Sequence, residues 1–258
     1  MPPATPSDMK SPAAPALLRF SNVSKRYPDG GRQVVVLDEV SFELQAGAAA
    51  GVHGARGSGK STLLRLAAAI ESPDGGAIRF AGQDITRPSA GERSRLLRGA
   101  VALLSGADWL TSPGEIVLDH VAMSIGSSGL TLREAKRRAL VALDGVGVSA
   151  VGAAQRTAAL SAEQRARVML ARALVREPEL LIVDEPAPMP SLEDRERFCA
   201  TLRTVTRERG IALLVASENL GTLDGMGALM SLSAGGELLL TEERGTVVPI
   251  RRGRAASF

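Results

Sequence analysis

The spacing of apolar positions changes along the chain, and each change marks a different kind of element. From Leu17 the runs LLRF, QVVVL and VSFEL have β character, separated by the turn residues of YPDGGR. AAAGVH at 48–53 reads as a buried strand ending at a glycine loop. A helix is predicted behind it, with Leu63, Leu64, Leu66, Ala67 and Ile70 on its core face. AIRFAG at 77–82 is a further strand behind the turn SPDGG.

Between about Ser89 and Ala159 the pattern becomes helical with small-residue breaks, apart from a strand at AVALLS, 100–105. Ser89 stands three places before Glu92, Thr131 three before Glu134 and Ser161 three before Gln164. This is capping-box spacing, in which the hydroxyl and the later side chain satisfy each other's backbone amides. LLIVD at 180–184 is apolar until its final acid, the pattern of a parallel strand buried on both faces. A helix through 191–209 leads to IALLVAS at 211–217, and GALMSL and GELLL finish the series. The alternation predicts an α/β fold, with a mainly antiparallel layer in front and a helical insertion.

Composition narrows the class. The 258 residues are 45% hydrophobic and 23% charged, enough for one sizeable core. No run approaches the roughly 18 apolar residues of a membrane span. The start, PPATPSDMKSPAAPA, has no apolar leader region, which predicts a cytoplasmic protein with residues 1–16 disordered. The net charge of +3 comes from dispersed arginines and four lysines, and only 3% of residues are aromatic. That gives no platform for stacking bases, and no nucleic-acid partner is expected. The closing RGTVVPIRRGRAASF reads as a solvated basic tail, with contact to anionic lipid as the other reading. Cys199, the single cysteine, excludes an internal disulfide and is expected to be a small buried apolar residue.

The sharpest chemical signal is GARGSGKST at 54–62, which fits G-x-x-x-x-G-K-[ST] between a strand and a helix. In such a loop Gly54, Ala55, Arg56, Gly57, Ser58 and Gly59 turn backbone amides toward phosphate oxygens. Lys60 is a point charge for the terminal phosphates, Ser61 a Mg²⁺ ligand, and Thr62 continues the helix start. LLIVDEP supplies the matching acids. Asp184 at the strand end can hold Mg²⁺ through water, and Glu185 can polarise an attacking water as general base.

In this order the pieces resemble an ABC-type ATPase domain over roughly residues 17–241. The likeness rests on RFSNVSKRY, GARGSGKST and LSAEQRARVMLARALVREPELLIVDEP. The stretch GQDITRPSAGERSRLLRGAVALL further resembles the branch serving lipoprotein-release and macrolide-export permeases. The resemblance implies a P-loop NTPase fold: a RecA-like core, an antiparallel β layer and a helical subdomain at about 87–165, with 242–258 as a tail. It implies ATP and Mg²⁺ as ligands, with Tyr27 stacking on adenine. It also implies a head-to-tail homodimer or heterodimer in which Ser161, Ala162, Glu163 and Gln164 face the partner's ATP. The subunit would sit at the inner face of the cell membrane, on a separate permease.

The departures from the family pattern carry their own expectations. The family signature is L-S-G-G-Q, whereas this chain has LSAEQ, with Glu163 in place of the second glycine. An acid in the first turn favours the helix dipole, but as a phosphate reader it has the wrong sign. Like charges about 4 Å apart repel by roughly 4 kcal/mol at an effective dielectric near 20. The anion seat is therefore expected to be filled by the carboxylate of Glu163. The family glutamine after AVALLS is replaced by Ser105 or Gly106, and its histidine after IALLVAS by Ser217. Neither His53 nor His120 aligns as a substitute, and both are expected to be structural. APMPSLED departs from the family turn, with Pro188 and Pro190 stiffening it. These losses predict ATP binding with slow hydrolysis, or alternatively a non-hydrolysing regulatory or scaffolding subunit. DNA-repair or translation roles would need a coiled-coil insertion or a second nucleotide domain, and a P-loop kinase would leave LSAEQRARVMLARAL unexplained.

Overall fold

Strands longer than the sequence pattern predicts open the chain. In the computed structural model, which describes residues 16–105, 114–186, 189, 191–241, 247–249 and 256–257, β1 (Leu18–Asp29) and β2 (Arg32–Leu44) form one antiparallel hairpin. QVVVL and VSFEL, expected as separate strands, are both parts of β2. The interruption is absorbed by register shifts between Phe20 and Arg26, so the ladder bends at bulges without breaking.

The order continues as β3 (Ala49–His53), α1 (Lys60–Ala67), β4 (Gly75–Phe80), β5 (Gln83–Asp84), α2 (Ala90–Arg98) and β6 (Val101–Leu104). Then come α3 (Val117–Ala122), α4 (Leu132–Asp144), α5 (Ala150–Ala153), α6 (Ala162–Leu174) and β7 (Leu180–Asp184). The series closes with α7 (Leu192–Glu208), β8 (Ala212–Ser217), β9 (Ala228–Leu232) and β10 (Leu238–Thr241). Among the described residues β2, β1, β4 and β5 make an antiparallel sheet, and β9-β3-β8-β7-β6 make a parallel one, extended by antiparallel β10. Val247–Pro249 pairs with β10 and Ala256–Ser257 with β2, so pieces of the expected solvated tail are paired.

The parallel strands are apolar throughout because each face meets a different core. Side chains alternate across a strand. Leu181, Val183, Leu213 and Val215 therefore pack with α6 and α7, through Leu170, Phe198 and Leu202. Leu180, Ile182 and Leu214 face the other way, onto Leu63, Leu64 and Leu66 of α1 and the stacked pair Phe20 and Phe42. Helix α1 is thus clamped between the two sheets, as its apolar face predicts. It ends at Ala67, and Ile70 lies half-buried beyond it.

Capping boxes form fully at α2 and α6. At α4 only half forms: Thr131 accepts from the Glu134 amide, but the Glu134 carboxylate turns to Arg137 and Arg138. Those hydrogen bonds, led by Arg137, hold its pKa down at about 2. Residues 1–15, Gly106, Pro188 and Pro190, on which the sequence raised expectations, lie outside the described residues.

Cys199 is buried on α7 as expected, and burial pushes its thiol up to about 11 against the opposing charges of Arg203 and Arg195. A thiol is attacked through its thiolate. Alkylation of native protein at pH 8 should therefore run at least about a hundredfold slower than in the unfolded chain, the factor that two pKa units set. Time-resolved labelling followed by mass spectrometry, with and without denaturant, checks this.

Candidate nucleotide site

The register of the parallel sheet brings the site together. His53 at the end of β3 pairs with Ser217 of β8, and Asp184 of β7 pairs with Ala216. Three strand ends therefore open on one edge, the edge where ligands settle in open α/β sheets. The loop 54–59 lifts the chain from β3 into α1, which starts at Lys60. No side chain caps α1 and no acid stands in its first turn, so its leading amides are free for an anion.

Around this helix start lies a cleft of about 420 Å³. Arg56, Gly57, Gly59, Lys60, Ser61 and Thr62 line one side; Tyr27 and Val36 come from the hairpin, and Asp184, Glu185 and Glu218 from the strand ends. Gly54 and Ser58 are buried on the loop's inner side, while Ala55 is exposed. Lys60, only 6% exposed, donates to the carbonyls of Gly54 at 2.7 Å and Ala55 at 3.0 Å. The Ser58 hydroxyl is buried without a partner. Neither histidine lines the cleft. His53 is half-buried within β3, and buried His120 has its Nδ1 2.7 Å from Glu115.

Tyr27 is held at the cleft mouth by its hydroxyl, which donates to Glu71. Glu71 also accepts from Arg65 at 2.6 Å, and Lys25 Nζ lies 5.3 Å from the Tyr27 ring centre. Burial pushes the Glu71 carboxyl up, but hydrogen bonds from Tyr27 and Arg65 outweigh it and leave the group below its ordinary range. A tethered ring keeps its orientation, which a stacking platform requires.

Asp184 and Glu185 stand together, and Glu185 is fixed from β8. Its backbone takes a left-handed turn, φ 53°, and its amide still bonds Ala216. One carboxylate oxygen accepts from the Ser217 hydroxyl at 3.0 Å and the other from the Glu218 amide at 2.6 Å. Sequence reasoning treated Ser217 only as a lost histidine, yet it binds the neighbouring acid. It also missed Glu218, whose significance depends on β7 and β8 being adjacent.

The LSAEQ segment stands outside this cleft, at the start of α6. Ser161 accepts from the Gln164 amide and Gln164 returns the bond, as the spacing predicted. The expectation for Glu163 is corrected. Its carboxylate does not fill the helix-end seat; it reaches one turn along α6 and accepts from Arg167 at 3.0 and 2.8 Å. Arg167 also donates to the Val146 carbonyl, so a guanidinium anchored on two sides outcompetes the helix dipole. Half-buried Ser105 follows β6, whose Leu104 pairs with Val183 of β7.

The profile of the ABC transporter family matches residues 37–188, more than half of the 258-residue chain. The chain belongs to this family. It is an ATP-binding subunit of an ABC-type transporter, and its fold is that of an ABC ATPase. The lipoprotein-releasing system ATP-binding protein LolD of Idiomarina loihiensis is 35% identical over 205 residues, 80% of this chain and 89% of that one. The methionine import ATP-binding protein MetN of Streptomyces avermitilis is 31% identical over 236 residues, 90% of this chain and 67% of its own. A solved dimeric ATP-binding cassette in a post-hydrolysis state with ADP and Pi superposes with a TM-score of 0.75 at 22% identity, covering 84% of this chain and 95% of that one. The solved structure of cbiO1 from Clostridium perfringens, part of the ABC transporter complex cbiONQ, gives a TM-score of 0.75 at 24% identity, covering 85% of this chain and 86% of that one.

The loop's backbone makes a graded prediction. A Cβ on Gly59, φ +101°, would meet Val36 Cγ1 and O at 2.8 Å, whereas one on Gly57, φ +80°, would meet nothing within 4 Å. Gly57→Ala should cost about 1–2 kcal/mol for its left-handed backbone alone, and Gly59→Ala about 2–5 kcal/mol with the added crowding. Denaturant melts of the two variants compare them directly.

Proposed function

We propose that this subunit binds MgATP in the cleft at 54–62, hydrolyses it slowly, and couples these events to a separate membrane permease. The observation that carries the reading is the meeting of Lys60, Ser61, Asp184 and Glu185 in one cleft at the free start of α1. In this reading Gly54 to Thr62 cradle the phosphates, Tyr27 takes the adenine, and Lys60 neutralises the terminal phosphates.

The donors fit Mg²⁺ of the kind that arrives with its nucleotide. Ser61 and Asp184 share the cleft, and no group of three or more His, Cys, Asp or Glu among the described residues could hold a metal by itself. Mg²⁺ typically takes one or two protein carboxylates and completes its shell with phosphate oxygens and water. When bound it supplies positive charge at the phosphates, and Ser61 and Asp184 are the residues that would hold it.

Glu185 is the proposed general base. Two of about four lone-pair sites on a carboxylate are taken by Ser217 and the Glu218 amide, which leaves sites to orient a water. Slow turnover is supported by Ser217 standing where the family has a phosphate-contacting histidine. Loss of one transition-state donor costs about 2.7–4 kcal/mol. Glu163, paired with Arg167, offers the partner's ATP a neutral pair where the family offers bare amides. Among the described residues no helix is long and apolar enough to cross a membrane, and the proposal assigns the cargo path to the permease. LolD and MetN are named for different cargoes, so the similarity supports the ATP-driven part of the reading and not a particular cargo.

Isothermal titration should show MgATP binding that Lys60→Ala abolishes; equal binding by that variant would overturn the assignment. Glu185→Gln should keep binding and lower single-turnover hydrolysis by about 10²–10⁴. In the Glu185→Gln background, Ala162→Gly with Glu163→Gly should raise ATP-dependent dimerisation in sedimentation runs. An unchanged monomer fraction would remove the role given to Glu163.

A further inference from the structure

We infer that Glu218 is a specificity-determining residue of the cleft: it holds Lys60 as a stand-in for the terminal phosphate and must yield when a triphosphate binds. The inference rests on the proposed nucleotide reading. Lys60 donates to the loop carbonyls of Gly54 and Ala55, and Glu218 Oε1 at 3.8 Å is its ion-pair partner, beyond hydrogen-bond distance. The lysine is almost fully buried while the Glu218 side chain is 50% exposed, so of the two partners it is the acid that has room to leave.

The placement of Glu218 is fixed by its own backbone. Its amide donates to Glu185, which ties the residue to the end of β7 and leaves only the side chain free to swing. Its carboxylate then joins Asp184 and Glu185 in lining a cleft whose cations are Lys60 and Arg56. Asp184 is answered by the metal in the proposed complex, and Glu185 by Ser217 and an amide. Among the described residues the Glu218 carboxylate pairs with Lys60. A γ-phosphate that takes Lys60 leaves this carboxylate uncompensated next to phosphate oxygens, and the repulsion falls on the nucleotide that carries the γ-phosphate. A diphosphate also draws on Lys60 but brings no γ-phosphate up to Glu218, so it meets less of this repulsion. The cleft therefore discriminates against ATP relative to ADP, and this residue sets the ratio.

The test is titration of the full chain with MgATP and MgADP in wild type and Glu218→Gln, with Glu208→Gln, an exposed acid at the end of α7, as a control for net charge. Glu218→Gln should tighten MgATP by about fivefold to tenfold, a change on the scale of one charge pair in a solvated cleft. MgADP should shift by less than about twofold, and the control should change neither nucleotide. Equal tightening for both nucleotides, or none for either, would overturn the assignment to Glu218 and leave the nucleotide reading intact. Failure of wild type to bind either nucleotide would instead remove the nucleotide reading. Circular dichroism melts of the variant confirm that the comparison is made on folded protein.

Discussion

A lysine ammonium that is 6% exposed has to be answered by acceptors, and here the phosphate loop answers it from within itself. Lys60 bonds to the carbonyls of Gly54 and Ala55, the first residues after β3, so the cation closes the loop around its own head. The loop can take this shape because α1 cannot move: Leu63, Leu64 and Leu66 are fully buried between the two sheets. The long apolar strands, the clamped helix and the folded-back lysine are thus one constraint seen at three scales. The core fixes where α1 begins, and that fixes where a cation and free amides can face an anion.

The acids on the opposite side depend on the sheet order. Asp184 ends β7 and Glu185 follows it, Ser217 ends β8 and Glu218 follows it, and the two strands are hydrogen-bonded neighbours. Adjacent parallel strands that end in step bring two pairs of polar residues within reach of each other. The left-handed turn at Glu185 is maintained because its amide and both its oxygens have partners on β8 or on the residue just after it. A serine hydroxyl can orient a carboxylate but cannot carry the positive charge of a histidine. The contact between the ends of β7 and β8 therefore consists of hydrogen bonds from a hydroxyl and an amide, both neutral donors.

Much of the architecture was legible in the sequence because burial on two faces leaves a plain apolar pattern, as in LLIVD and ALLVAS, and because hydroxyl–acid spacing marks helix starts. The phosphate loop was legible for the same local reason. What the sequence hid is what depends on pairing between distant segments. The hairpin's bulges join runs that look separate, and Glu134 abandons its cap because arginines one turn on bind it better. The partners of Tyr27 lie at Glu71 and, through it, Arg65, 44 and 38 residues away, and no local spacing announces them. Glu218 was invisible for a similar reason: beside IALLVAS it is one more surface acid, and only the strand order sets it against Lys60.

The same limit explains why the reading of Glu163 had the correct sign of charge and the wrong partner. A helix start attracts an acid with a few tenths of a kcal/mol, while a guanidinium one turn along offers charge-assisted hydrogen bonds worth more. Arg167 is available for this because its third nitrogen is anchored on the carbonyl of Val146, beyond the end of α4. The segment that joins α4 to α5 thus sets the electrostatics of the α6 start. An acid fixed to a neutralising arginine presents little net charge but still occupies volume that two glycines would leave open. The α6 start is therefore altered in shape more than in charge, with its carboxylate drawn one turn along the helix to Arg167.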